Sequence, residues 1–300
     1  MDETDFRLCL LLRENSRLPY RELADKVNLS VNAVHSRVGN MIENGIIGGF
    51  YTKIGEGTLR DSLKILVHGE SKFEKLDSVI EELSEDKYTS KLVSTSDEYL
   101  YVYGVLPDIS EMSDYVEYIP EKTGIEGPEV FLPSFRNHPP RNDFKMKRTD
   151  YEIISSLRED SRKSLSKIAD DLIISTKTVR RRIDKMEEIG AIDYTIRWYP
   201  IYSDDFIGLV HGEISSENRN YKLSTIKNEH FPNIFEVRKA SNHPYKVLVK
   251  SWATTLDEMQ KIKEELHGTE YFDFFKTRIF YDIKYFDTWK EDLLEKKAKG

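Results

Sequence analysis

The chain has 300 residues, 39% hydrophobic and 33% charged, with 45 Lys+Arg against 53 Asp+Glu and a formal net charge of −8. Such a composition belongs to a globular protein with room for two ordinary domains or several small ones. No stretch approaches the roughly 20 apolar residues of a membrane span, and the short apolar run of MDETDFRLCLLLREN is broken by Arg13 and Glu14, which argues against a signal peptide. The single cysteine, Cys9, excludes an internal disulfide and any cysteine-based metal cluster, as expected of a reducing cytoplasm.

In chain order, the spacing of apolar residues by three and four predicts helices over 5–14 and 20–27. Ser30 is placed to cap a third helix, whose end is marked by Gly45. Residues 46–54 turn aromatic and β-branched and read as a wing strand. Strand and helix then alternate: strand 63–68, helix 75–83, a hairpin of 88–95 and 99–106, helix 109–119 and strand 129–133. This βαββαβ order predicts a four-stranded antiparallel sheet with both helices on one face. The other face then needs a cover, and a second copy of the domain is the economical candidate. Residues 134–148, with Pro139-Pro140 and five basic residues, read as a linker.

The same sequence of elements then recurs. Residues 4–47 align without a gap on 149–192, an offset of 145: RENSR matches REDSR, Ala24-Asp25 matches Ala169-Asp170, and Ser30, Val34, Arg37, Met41, Glu43 and Gly45 match Ser175, Val179, Arg182, Met186, Glu188 and Gly190. LVHGE at 66–70 returns at 209–213. The second half therefore predicts helices 150–159 and 165–172, a third helix from Ser175 to Gly190, strand 191–199, then 206–213, helix 223–230, strands 234–239 and 245–252, helix 256–266 and strand 272–280. Residues 287–300 read as a fraying charged tail. The expected fold is α+β: two winged helix-turn-helix domains (1–57 and 149–200) and two ferredoxin-like βαββαβ domains (58–136 and 201–286), with a linker at 137–148, arranged as an internal pseudo-dimer.

A helix lying in the major groove needs one apolar face and an opposite face of donors. In the first third helix Val31, Val34, Val38 and Met41 share a side, with Asn32, Ala33, Ser36 and Asn40 opposite. The second buries Val179, Ile183 and Met186 and exposes Lys177, Thr178, Arg181 and Lys185. His35, Arg37, Arg180 and Arg182 lie on the flanks, within reach of phosphates. Residues 144–199 carry a net +3, residues 1–53 are neutral and residues 54–143 carry −10, so the acidic total belongs mainly to the first α/β domain. The second module is therefore expected to supply more DNA-binding energy than the first.

With residues 13–47 and 158–192 in view, the chain resembles the Lrp/AsnC family of transcription regulators, tandemly duplicated. The resemblance implies a cytoplasmic, non-enzymatic regulator that binds double-stranded DNA through the two third helices, requires no cofactor and has no membrane association. It also implies a small-molecule effector, and it leaves open whether this internal pseudo-dimer pairs with a second chain as a homodimer. In the family the effector sits near a Gly-Asp turn between the second and third sheet strands; the equivalents here are Ser94 to Asp97 and Ala240 to His243, of which only Asp97 matches. His68 and His211, one in each LVHGE, are further effector-site candidates, although the pentapeptide also reads as a plain strand end. The aromatic run 271–285 reads as core and interface packing. Two alternatives stay open: siroheme decarboxylases resemble this domain combination, with histidines and arginines near the interdomain cleft, and an interaction module without DNA binding would account for the neutral first helix.

Overall fold

A computed structural model describes residues 1–59, 61–133, 144–215, 233–243, 245–268 and 272–299. The chain divides into two compact units, and not between its halves. One unit collects both helical modules (Asp2–Ser62, Arg136–Tyr199 and Asp287–Gly300), the other Met1 with both α/β domains (Leu63–Phe135 and Pro200–Phe286).

In the helical unit the first module is α1 (Glu3–Glu14), α2 (Tyr20–Val27) and α3 (Val31–Glu43), followed by β1 (Ile47–Ile54). Leu8, Leu12, Leu23, Val34 and Val38 are wholly buried, which is the helical stripe of the sequence turned inward. The Ser30 hydroxyl accepts from the Ala33 N–H at 3.2 Å, and Gly45 adopts φ 74° just past the helix end. The second module repeats this as α6 (Arg148–Leu157), α7 (Leu165–Leu172) and α8 (Thr176–Glu188), capped by Ser175 on the Thr178 N–H at 3.1 Å, and then β6 (Ile192–Trp198).

Two features differ from the sequence reading. The wing strands do not form a wing within each module: β1 pairs antiparallel with β6, Tyr51 opposite Thr195, in one ribbon shared by the modules. Each module offers only one strand, and its backbone groups find partners only in the other copy. Gly55 and Gly57 make this possible, since a Cβ at either would collide with the carbonyls of Gly190 and Ile189. Around the ribbon the modules exchange equivalent contacts. The hydroxyls of Ser16 and Ser161, 145 residues apart, are 2.6 Å from each other, Arg17 donates to the Ser161 carbonyl, and Arg162 donates to the Leu18 carbonyl at 2.8 Å. An approximate two-fold axis thus relates α3 to α8. The expected fraying tail is instead a helix, which we number below as α10 (Trp289–Lys299); its Leu294 is buried with Ile153 and Leu157, and Arg158 pairs with Asp287 at 2.6 Å. Leu294, the partly buried Leu293 beside it and ionic anchors hold the helix where sequence periodicity is weak.

The α/β unit contains β2 (Leu63–Ser71), α4 (Leu76–Ser84), β3 (Thr89–Thr95), β4 (Tyr99–Leu106), α5 (Met112–Thr123) and β5 (Ile125–Phe131), then β7 (Phe206–Ile214), β8 (Ile234–Lys239), β9 (Lys246–Ala253), α9 (Leu256–His267) and β10 (Phe272–Tyr285). The helix expected over 223–230 lies outside the described residues. The strands form one eight-stranded sheet in the order β5-β2-β4-β3-β10-β7-β9-β8, two ferredoxin-like four-strand sets joined edge to edge. The junction is β10, which runs on past residue 280: Phe272–Ile279 pairs with β7 and Phe280–Tyr285 with β3. The open edge of β3 supplies partners for this extension, so the strand outlasts its own domain. Odd and even residues divide the faces. Leu100 and Val102 of β4 pack with Val79, Leu83, Tyr115 and Ile119 of α4 and α5, and Val247 and Val249 pack with Met259, Ile262 and Leu266 of α9.

Candidate functional site

On α3 and α8 the outward positions fall where the helical wheel put them. Asn32, His35, Ser36 and Asn40 are exposed, as are Lys177, Arg180 and Arg181, while Ala33, Thr178 and Lys185 are half-buried. Among the described residues Lys177, Arg180 and Arg181 have no ion-pair partner, whereas Lys185 pairs with Glu188 at 2.9 Å. Thr178 also hydrogen-bonds the capping Ser175 side chain to side chain at 2.9 Å.

Of the three flanking arginines Arg180 is exposed as expected, whereas Arg37 and Arg182 are not extended toward solvent. Arg182 is held by the wholly buried carboxylate of Asp150 at 3.1 and 3.2 Å, and Asp150 also accepts from the Lys147 N–H at 2.7 Å. Arg37 is held by Asp5 at 2.8 Å and Asp2 at 2.6 Å. Asp5 and Asp150 are equivalent in the repeat, so each copy clamps its recognition helix to its first helix by the same pair. A buried carboxylate needs a charged partner, and that demand outweighs any reach to solvent. His35 likewise stacks on Tyr20, ring centroids 4.3 Å apart.

A second constellation lies in the α/β unit on the sheet face away from the helices. His68 on β2 and His211 on β7 meet with ring centroids 4.9 Å apart, so the two LVHGE copies do come together. His68 Nδ1 and the Tyr99 hydroxyl share a hydrogen bond of 2.8 Å, and the Tyr101 hydroxyl bonds His211 Nε2. The Arg278 guanidinium lies 3.5 Å from the Tyr99 ring centroid and pairs with Asp97 at 3.2 Å, although it is only 6% exposed. Asp97 also accepts from the Thr95 hydroxyl at 2.6 Å. Burial lowers His68 to about 4 and His211 to about 2, and raises Tyr99 to about 12 and Tyr101 further. At neutral pH the four groups are therefore uncharged hydrogen-bonding partners. Fixed positive charge at the cleft comes from Arg278, Lys276 and Lys246, the last paired with Glu129.

The pairing of strands shows how the copies diverged. His68 faces Tyr101 and Glu129 across the ladder, whereas His211 faces Leu248 and Lys276. The equivalent histidines thus meet in one asymmetric cluster: His211 lines a cleft of ≈ 320 Å³ with Tyr99, Phe274, Lys276 and Arg278, and His68 with His211 lines a smaller one of ≈ 100 Å³ beside Glu129 and Lys246. Of the two expected effector turns, the first contributes Asp97; in the second the Asn242 side chain bonds the backbone of Leu132 and Val130. Sequence reasoning missed Tyr99, Tyr101 and Arg278. Their signal is the alternation of Tyr99, Tyr101 and Tyr103, and of Lys276 and Arg278, polar groups on a strand face that a bare core would leave apolar. Among the described residues no group of three or more His, Cys, Asp or Glu is placed to hold a metal.

Residues 1–47 match the winged helix-turn-helix DNA-binding family and residues 146–187 the AsnC-type helix-turn-helix domain. LrpA of Pyrococcus horikoshii, an HTH-type transcriptional regulator, is 30% identical over 135 residues, 45% of this chain and 94% of that protein. The chain belongs to the Lrp/AsnC family. Ptr1 of Methanocaldococcus jannaschii, also an HTH-type regulator, is 27% identical over 134 residues, 44% of this chain and 90% of its own. Each of these Lrp/AsnC relatives spans about half of the chain, as a tandem duplication requires. The crystal structure of the siroheme decarboxylase NirDL matches over 99% of both chains with a TM-score of 0.60 at 13% identity, a likeness of fold along the whole chain.

Proposed function

We propose that this chain is a sequence-specific, DNA-binding transcription regulator of the Lrp/AsnC type without catalytic activity, which meets double-stranded DNA through α3 and α8, and that α8 supplies the larger share of the binding energy. The observation that carries the reading is the outward face of α8. Lys177, Arg180 and Arg181 stand exposed and, among the described residues, unpaired on a helix whose rotation is fixed by Arg182 on Asp150. Unpaired cations on a clamped helix meet phosphates and base edges without first breaking an internal ion pair. We assign the cleft beside His211 and Arg278 to a small-molecule effector. The test is binding of the full chain to genomic fragments by gel shift. Lys177→Glu with Arg181→Glu is expected to weaken affinity on the order of 100-fold at 0.1 M salt, and unchanged affinity would sink the assignment.

A second reading, a siroheme decarboxylase-like enzyme, is supported by the full-length fold likeness to NirDL and by the histidines, tyrosines and buried arginine at one cleft. NirDL has also been crystallised with an iron-uroporphyrin III analogue. Titrating the protein with that tetrapyrrole discriminates the readings: a shifted visible absorption band that Arg278→Ala abolishes favours the enzyme, and no spectral change removes it.

A further inference from the structure

The two recognition helices are held alike but carry different chemistry. Asp5 clamps Arg37 and Asp150 clamps Arg182 at equivalent positions of the repeat, Ser30 and Ser175 cap the helices identically, and the shared ribbon relates the modules by an approximate two-fold axis. Equivalent positions therefore present their side chains in the same direction relative to each module. Residues spaced by four lie on one stripe of a helix. On α3 that stripe is Asn32, Ser36 and Asn40; on α8 the same three positions are Lys177, Arg181 and Lys185.

These side chains match different base edges. Asn pairs with adenine by accepting from N6–H and donating to N7, while Arg and Lys donate to the two acceptors of guanine, O6 and N7. A carboxamide or hydroxyl on α3 has no long cationic arm for guanine, and α8 has no acceptor on its stripe for the adenine amino group. Lys185 is engaged with Glu188, but that pair is solvent-exposed and exchanges readily for a base or phosphate.

Building on the DNA-binding reading above, we propose that the chain recognises an asymmetric operator. Two half-sites lie in opposite orientation, one read at adenine by Asn32 and Asn40 and one read at guanine by Arg181 and Lys177. A symmetric palindrome, which two identical copies would select, is a poor ligand for this chain because one half always meets the wrong helix.

The test is repeated selection of the full-length protein on randomised duplexes, followed by affinity measurements on the recovered site. The expected result is an inverted pair of unlike half-sites, with about a 10-fold loss when the guanine of one half is changed to adenine. Grafting Asn32→Lys, Ser36→Arg and Asn40→Lys onto α3 is expected to convert the selected site into a palindrome of the guanine half. A palindrome selected by the unmodified protein overturns the inference while leaving DNA binding intact. No enrichment of any duplex, even at low salt, overturns the DNA-binding reading and this inference with it. The unmodified protein alone decides between these outcomes, whether or not the grafted variant folds.

Discussion

The helical unit and the α/β unit have spent the same duplication in opposite ways. In the helical unit the copies keep their caps, cores and clamps and differ on the outer face of the recognition helix, where Asn32, Ser36 and Asn40 correspond to Lys177, Arg181 and Lys185. In the α/β unit the copies keep one histidine each and differ around it on the sheet face away from the helices, where Tyr101 and Glu129 correspond to Leu248 and Lys276. On the proposed DNA-binding reading, divergence on an outer face makes two unlike readers; in the α/β unit, divergence brings the two histidines into one unequal cluster.

The largest effect expected from breaking this comparison lies in the clamps. Asp150→Ala leaves Arg182 without its partner in a buried position and is expected to cost about 3–5 kcal/mol of stability, whereas Asp5→Ala, with a more exposed pair, costs about 1 kcal/mol or less. Chemical denaturation of the two variants should separate them clearly; equal losses would mean that the clamps are not differently buried.

The histidine cluster carries a pH dependence. Burial lowers His68 to about 4 and His211 to about 2 from 6.5, with Tyr99, Tyr101, Glu129, Lys246, Lys276 and Arg278 around them. Below pH 6.5 the unfolded chain binds protons that the folded site refuses, so the contribution of the two histidines is level above that pH and falls as the pH drops toward about 4. Each imidazole contributes about 1.4 kcal/mol per pH unit in that window. Melting midpoints measured from pH 7 to 4.5 should show the fall, and His68→Asn with His211→Asn should flatten it.

A smaller effect tests the turn before α8. Ile173 adopts φ 56° with 93% exposure, at the position where the first copy has Asn28 at φ 54°. A β-branched residue is strained there and asparagine is not. Ile173→Asn is expected to stabilise the protein by about 1 kcal/mol in urea titration.

The helical modules were legible because their signals are local: a hydroxyl cap three residues from its N–H, a 3.6-residue stripe, a glycine past the helix end. The ribbon of β1 with β6 was not, since its partners are about 145 residues apart and each strand alone reads as an ordinary wing. The last helix, α10, was hidden by the lysines and glutamates around Leu294, which is buried only because α6 receives it. Among the cleft residues the two histidines stood out through the repeated LVHGE, while Arg278 did not, because β4 and β3 of one half must meet β10 of the other before its position beside Tyr99 has meaning.

The central claim, that the chain binds DNA through unequal helices, is tested most directly by the slope of log affinity against log salt. Lys177→Gln, Arg180→Gln and Arg181→Gln together are expected to reduce the magnitude of that slope by at least roughly 1, the share of a phosphate-contacting Arg180, while Asn32→Ala, Ser36→Ala and Asn40→Ala lower affinity and leave the slope as it was. Equal slopes in all three proteins, or no salt-dependent binding at all, would contradict it.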